Sequence, residues 1–173
     1  SRRLLLKNAL VIATMDEARR EIPGGFILVE GPEITAIGQA DDPLPEADEV
    51  IDLSGHVVLP GLVNTHHHMV QSLTRATPAG QDAELFGWLK AHYPIWANLT
   101  PEMIRVSAAT AMSELVLSGC TTSSDHLYIY PNGAKLDDAI EAAREVGIRF
   151  HAARGAMSVG ESKGGLPPDR VVE

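Results

Sequence analysis

The stretch Val57-Val58-Leu59-Pro60-Gly61-Leu62-Val63-Asn64-Thr65-His66-His67-His68 decides how this chain is read. Its first part is apolar and β-branched, the composition of a buried strand, and three histidines close it. Residues two apart on a strand share a face. His66 and His68 are therefore expected to aim two imidazoles at one point, with His67 facing the other way. Burial of Leu62 and Val63 on opposite faces is expected to hold the register. Neutral imidazole is a common ligand of zinc and iron, so His66 and His68 read as half of a metal site. The plainer alternative is a polar loop or a packed core histidine, and the apolar strand in front argues against it.

On the N-terminal side, residues 1 to about 56 read as short strands separated by turn chemistry. Leu4 to Thr14 is extended and apolar. Pro23-Gly24-Gly25 turns the chain into Phe26 to Glu30, Gly31-Pro32 turns it into Ile34 to Ile37, and Asp41 to Pro45 is a loop. Val50 to Leu53 and the Ser54-Gly55 turn lead into the decisive strand.

On the C-terminal side, strands and helices alternate. Ala83 to Ala97 carries Leu85, Trp88 and Leu89 at helical spacing, with Pro94 expected to break its end. Thr100-Pro101-Glu102 is a helix start, in which threonine caps, proline suits the first turn and glutamate faces the positive dipole end. Ile104, Ala108, Ala111 and Leu115 form the apolar face, and Gly119 stops the helix. Cys120 to Asp125 is the second strand of this series. Leu136, Ile140, Ala143 and Val146 mark a helix closed by Gly147, and Ile148 to Arg154 is the third strand. Such alternation predicts an α/β fold with parallel pairing. Gly155 to Glu173, rich in glycine and proline, reads as a long loop.

Pro60 to His68 resembles the first-strand HxH signature of the amidohydrolase superfamily, metal-dependent hydrolases built on a (β/α)8 TIM-type barrel. The flanks resemble its deaminase and chlorohydrolase branch, through Gln71-Ser72-Leu73-Thr74-Arg75, Glu84 to Leu89 and Gly119 to His126. The likeness implies that residues 1–56 are the N-terminal part of a small β-sandwich domain. It implies that 57–173 are the first strands and helices of the barrel, with the tail lying over its mouth. An eight-stranded barrel needs about 250 residues. The chain, at 173 residues, is thus expected to be the front of such an enzyme. Two further histidines, an aspartate and a catalytic glutamate of the family would lie beyond Glu173.

The resemblance implies one divalent ion, zinc first and iron second, held by His66 and His68. Gln71 matches a glutamine that guanine deaminases carry in an HxHxxQ arrangement. Its amide offers a donor and an acceptor to the lactam edge of an oxopurine. Trp88 is a candidate for stacking on a flat heterocycle, with core packing as its alternative. Arg154, ending the third strand, is a candidate donor to a ring carbonyl, with a structural ion pair as its alternative. Asp125 and His126 could orient metal ligands or the loop, and Tyr128 and Tyr130 read as packing or pocket rim.

The implied reaction is deamination of an aromatic N-heterocycle, with 8-oxoguanine yielding urate and ammonia as the leading case. Triazine amino- or chlorohydrolysis and cyclic-amide hydrolysis on the same scaffold are alternatives, as is a non-catalytic barrel-derived binding module. The net charge of −9 argues against a nucleic-acid partner. Arg2, Arg3 and Lys7 are too few to reverse that. Cys120 stands alone, which suits a reducing compartment, and it reads as a packing thiol. The run Leu4-Leu5-Leu6 is too short for a secretory signal, and no stretch approaches the ~18 apolar residues of a membrane span. A cytoplasmic protein, forming a homo-oligomer as the family tends to, is the expectation.

Overall fold

The computed structural model describes residues 1–157, and the chain divides after Pro60 into two compact units. The first unit is all β. Its strands are β1 (Arg3–Lys7), β2 (Val11–Ala13), β3 (Glu21–Ile22), β4 (Phe26–Glu30), β5 (Glu33–Gly38), β6 (Glu49–Asp52) and β7 (Val57–Val58). One sheet runs β5-β4-β1-β6, the other β3-β2-β7. The extension expected from Leu4 to Thr14 is two strands in two sheets. Asn8 breaks it with a φ of 61°, a left-handed conformation that asparagine tolerates better than most residues. Strand β4 shows why both sheets hold together. Ile27 joins Ala9, Ile12 and Ile22 in one apolar cluster, while Phe26 and Leu28 join Leu5 in another. Alternate side chains of one strand thus fill two cores.

The second unit is α/β. Strands β8 (Leu62–Asn64), β9 (Cys120–Leu127) and β10 (Arg149–Arg154) are parallel and lie in sequential order. Helices α1 (Leu85–Trp96) and α2 (Pro101–Leu117) fall between β8 and β9, and α3 (Leu136–Val146) between β9 and β10. The start of α2 follows the expected chemistry: the Thr100 hydroxyl accepts the Met103 N–H at 3.3 Å. Gly147 closes α3 with a φ of 83°, where a Cβ would be strained. Ala108 and Ala111 of α2, with Ala139, Ala142 and Ala143 of α3, share one buried cluster with Met69, Met112 and Ile148. Small side chains let those two helices approach closely.

Three expectations need correction. The run from Val57 to Thr65 is not one strand, because β7 pairs with β2 and β8 pairs with β9. Pro60-Gly61 separates them; proline has no N–H to give a ladder, and a Cβ on Gly61 would lie 2.2 Å from the Thr121 side chain. Leu62 and Val63 are 57% and 63% exposed in this stretch rather than buried. Among the described residues β8 has β9 as its only strand neighbour, with Leu62 paired to Cys120, Val63 to Thr122 and Asn64 to Ser123. Pro94 does not end α1, which runs on to Trp96. In the last turn, a proline removes one ladder bond without stopping the residues that follow.

Of the expected C-terminal loop, residues 158–173 lie outside the described residues. Among the described residues no helix is long and apolar enough to cross a membrane. Cys120 is buried and its thiol donates to the Thr122 carbonyl at 3.3 Å.

Candidate metal centre

The histidine triplet lies just past the end of β8, not within it. It keeps a strand-like alternation because it continues alongside the end of β9. The His126 N–H donates to the His67 carbonyl at 2.9 Å, and the His66 N–H donates to the Asn64 side-chain oxygen at 3.2 Å. After His68 the chain turns into a 3-10 segment, Met69–Thr74.

The rings of His66 and His68 converge, with centroids 5.2 Å apart and planes at 88°. The Nδ1 of His68 lies 2.9 Å from the carbonyl oxygen of His126. A carbonyl only accepts, so Nδ1 carries the proton and the lone pair is on Nε2. An imidazole tied in this way to a backbone carbonyl is oriented to ligate through its other nitrogen. Two imidazoles on one tetrahedral ion at 2.0–2.1 Å would place their centroids roughly 5 Å apart. The separation, the fixed tautomer and the donor type all fit a divalent cation such as zinc. Among the described residues, no group of three or more His, Cys, Asp or Glu side chains is arranged to hold a metal. What these residues supply is the pair.

His67 turns away, as expected. It is half-buried, its Nδ1 is enclosed without a partner, and burial pushes its pKa down. The neighbouring charges of His68 and Arg75 push the same way, against Glu114.

Around His68 stand two further rings, His126 at 5.4 Å and Tyr128 at 5.4 Å. Gln71, in the 3-10 segment, donates from Nε2 to the Tyr128 hydroxyl at 3.0 Å. That bond leaves the amide oxygen of Gln71 as its open acceptor. Burial raises the Tyr128 pKa, against the Gln71 bond, so the phenol stays protonated near neutrality. Gln71 and Tyr128 are therefore brought to the histidine pair.

Trp88 and Arg154 are placed differently. Trp88 stacks on His92 at 4.4 Å and meets Trp96 edge-on at 5.3 Å, and Trp96 in turn meets Tyr128 at 6.3 Å. One ring, Trp96, thus stands between the indole and Gln71's partner. Arg154 lies over the Tyr130 ring, 4.6 Å from its centroid, and donates to the Gly155 carbonyl at 3.0 Å. The first of these is a cation–π contact.

Ser107 and His92 are buried polar residues that escaped the sequence reading. Ser107 interrupts the apolar face Ile104–Ala108–Ala111 of α2, and its hydroxyl donates to the carbonyls of Met69 and Val70 at 2.6 and 3.0 Å. A serine inside an apolar stripe was the available signal. His92 is buried between Trp88 and Trp96, donating from Nδ1 to the Trp88 carbonyl at 2.8 Å. Its signal was the aromatic spacing 88, 92, 96, one ring per helical turn.

An HxH pair just past the C-terminal end of a parallel strand, followed by two further parallel strands and their helices, agrees with the matches to known proteins. Residues 57–172 match the model of the Amidohydrolase family, and the chain belongs to that family. It is 43% identical over 175 residues to an 8-oxoguanine deaminase of Pseudomonas aeruginosa, covering 99% of this chain and 38% of that protein. It is 34% identical over 176 residues to a hydroxydechloroatrazine ethylaminohydrolase of Pseudomonas sp. (strain ADP), covering 94% of this chain and 36% of that protein. Among solved structures, the atrazine chlorohydrolase of Arthrobacter aurescens TC1 complexed with zinc superposes with a TM-score of 0.85 at 33% identity. That match covers 96% of this chain and 38% of the chlorohydrolase chain. The chain thus spans well under half the length of each of these relatives.

Proposed function

We propose that the full-length protein is a metal-dependent aminohydrolase of an aromatic N-heterocycle, with 8-oxoguanine as the leading substrate and urate and ammonia as products. The observation that carries the metal reading is the His68 ring, held by the His126 carbonyl through Nδ1 and 5.2 Å from the ring of His66. The support for an oxopurine is the 43% identity to an 8-oxoguanine deaminase along nearly the whole chain.

In this reading β8, β9 and β10 are the first strands of a (β/α)8 barrel, and the first unit is part of a β-sandwich. The His66–His68 pair then lies where barrel enzymes keep their chemistry, at the C-terminal ends of strands. His66 and His68 hold one divalent ion, zinc before iron. When bound, such an ion makes water acidic enough to yield a nucleophile near neutral pH. Gln71 presents its amide oxygen to an N–H of the heterocycle, and the Tyr128 hydroxyl fixes that orientation. Trp88 borders the pocket through its aromatic stack, and Arg154 borders it from the end of β10. Water adds to the amino-bearing ring carbon, one of its protons passes to the ring nitrogen and the other to the amino group, and the C–N bond breaks to release ammonia and leave a ring carbonyl. The acidic balance suits a small-molecule substrate rather than a nucleic acid, and a cytoplasmic homo-oligomer is part of the proposal.

The similarity to an atrazine chlorohydrolase supports a second reading, hydrolysis of a substituted triazine. One experiment separates the two. The zinc-loaded full-length protein is offered 8-oxoguanine, guanine, and amino- and chlorotriazines, and ammonia, alkylamine and chloride are each measured. Ammonia from 8-oxoguanine supports the first reading. Chloride or alkylamine supports the second, and no release from any substrate by a metallated protein contradicts both.

A further inference from the structure

The loop that carries the histidine pair is held by a carboxylate that takes no part in the reaction above. Asp125, near the end of β9, is 1% exposed. Its Oδ1 accepts the main-chain N–H of Met69 at 2.9 Å, and its Oδ2 is buried without a partner. Met69 is itself buried and directly follows His68. The same residue is gripped from the other side by Ser107 of α2, whose hydroxyl donates to the Met69 carbonyl at 2.6 Å. Strand β9 therefore holds the N–H of Met69 while helix α2 holds its C=O.

The next residue after Asp125 completes the arrangement. His126 donates its N–H to the His67 carbonyl and accepts the His68 Nδ1–H, both at 2.9 Å. Two consecutive residues of β9 thus meet three consecutive residues of the loop. Two of the three bonds use the His126 backbone and come with the strand. The third is the only one that depends on a side chain of β9. It also supplies what the 3-10 segment lacks, since His68 stands at its N-cap and makes no side-chain cap. Without that bond a buried N–H would be left unsatisfied, and the backbone from which the His68 ring projects would be free to rotate.

We propose that Asp125 is a positioning residue for the metal pair: by fixing the Met69 amide it sets the backbone of His68, so that the ring reaches the His126 carbonyl and turns Nε2 toward His66. The proposal rests on the reading of His66 and His68 as metal ligands. It deepens that reading, because the affinity of the pair for a cation then depends on a residue that never touches the ion.

The test measures zinc affinity of the full-length protein by competition with a chromophoric chelator, together with the His68 tautomer by nitrogen NMR and the melting of the metal-free protein. Asp125→Ala is expected to weaken zinc binding by about 10- to 100-fold, the range for outer partners of metal ligands, and to lose the single Nδ1–H tautomer. Asp125→Asn keeps an oxygen for the Met69 N–H and is expected to bind zinc within a few-fold of wild type. Ile22→Ala, a buried truncation in the first unit, should lower the melting temperature and leave zinc affinity unchanged. Should Asp125→Ala fail to fold, Asp125→Glu, which moves the oxygens by one methylene, is expected to show the same loss. Wild-type zinc affinity in folded Asp125→Ala or Asp125→Glu overturns the proposal, as does an Asn variant as weak as the Ala variant. A wild-type protein that binds no zinc overturns the metal pair itself, and the two failures are therefore distinct.

Discussion

The Nδ1 of His68 and the main-chain carbonyl of His126 are 2.9 Å apart, joining the end of one parallel strand to the loop that leaves the next. Because a carbonyl cannot donate, this contact fixes the tautomer of the ring and leaves Nε2 as its lone-pair nitrogen. The site's geometry follows from that contact and from the 5.2 Å spacing to His66. Replacing either imidazole should therefore remove the metal. His66→Ala and His68→Ala in the full-length protein are each expected to lower zinc affinity by at least about 100-fold, beyond the range of an outer partner. His67→Ala is expected to leave it within a few-fold. Metal content after dialysis against a weak chelator checks all three.

The bond from Gln71 to the Tyr128 hydroxyl orients the amide that is proposed to face the substrate. Tyr128→Phe removes that bond and keeps the ring. A hydrogen bond of this kind contributes about 1 kcal/mol, so KM for 8-oxoguanine should rise about fivefold, with kcat changed less. Steady-state kinetics on the two proteins reads this directly. A fall in kcat at constant KM would place the Tyr128–Gln71 pair in the chemical step instead.

Gly80 sits against the aromatic stack of α1. A Cβ there would lie 2.4 Å from His92 Cε1 and 3.0 Å from Trp88 Cδ1. Gly80→Ala must displace one of those rings, and overpacking of this sort costs about 1–3 kcal/mol. A lower melting temperature is expected, with a change in tryptophan emission as Trp88 and Trp96 shift. Unchanged melting and emission would mean that the His92 stack yields at no cost.

Burial raises the phenol pKa of both Tyr93 and Tyr128 above the ordinary 10.0. The unfolded chain ionises these groups first, so it binds fewer protons than the folded chain above that pH. Their contribution is complete below about pH 10 and is lost as pH rises through the folded values. Denaturant melts across the alkaline range should show the decline, and Tyr93→Phe with Tyr128→Phe should flatten it.

Much of the second unit was legible because its signals are local. Thr100-Pro101 starts α2, Gly119 and Gly147 stop helices, and the apolar spacing of α2 and α3 marks the faces that pack together. The approach of His66 to His68 was legible for the same reason, since its alternation needs only neighbouring residues. The division of the run from Val57 to Thr65 was not, because a continuous apolar stretch does not say that its two halves pair with different partners. Nor does it say which face is covered, and the exposure of Leu62 and Val63 depends on neighbours far along the chain. The partner of Gln71 and the grip of Asp125 on Met69 join residues more than fifty positions apart. Such pairs leave no periodicity to read. Trp88 and Arg154 were singled out for their chemistry, whereas what they touch is set by His92 and Tyr130.

The most direct measurement is the anomalous density of zinc in crystals of the zinc-loaded full-length protein. The account predicts one peak within bonding distance, about 2.0–2.1 Å, of a His66 nitrogen and of His68 Nε2, with His68 Nδ1 still on the His126 carbonyl. A peak bound through His68 Nδ1, or a zinc site remote from both rings, would contradict it.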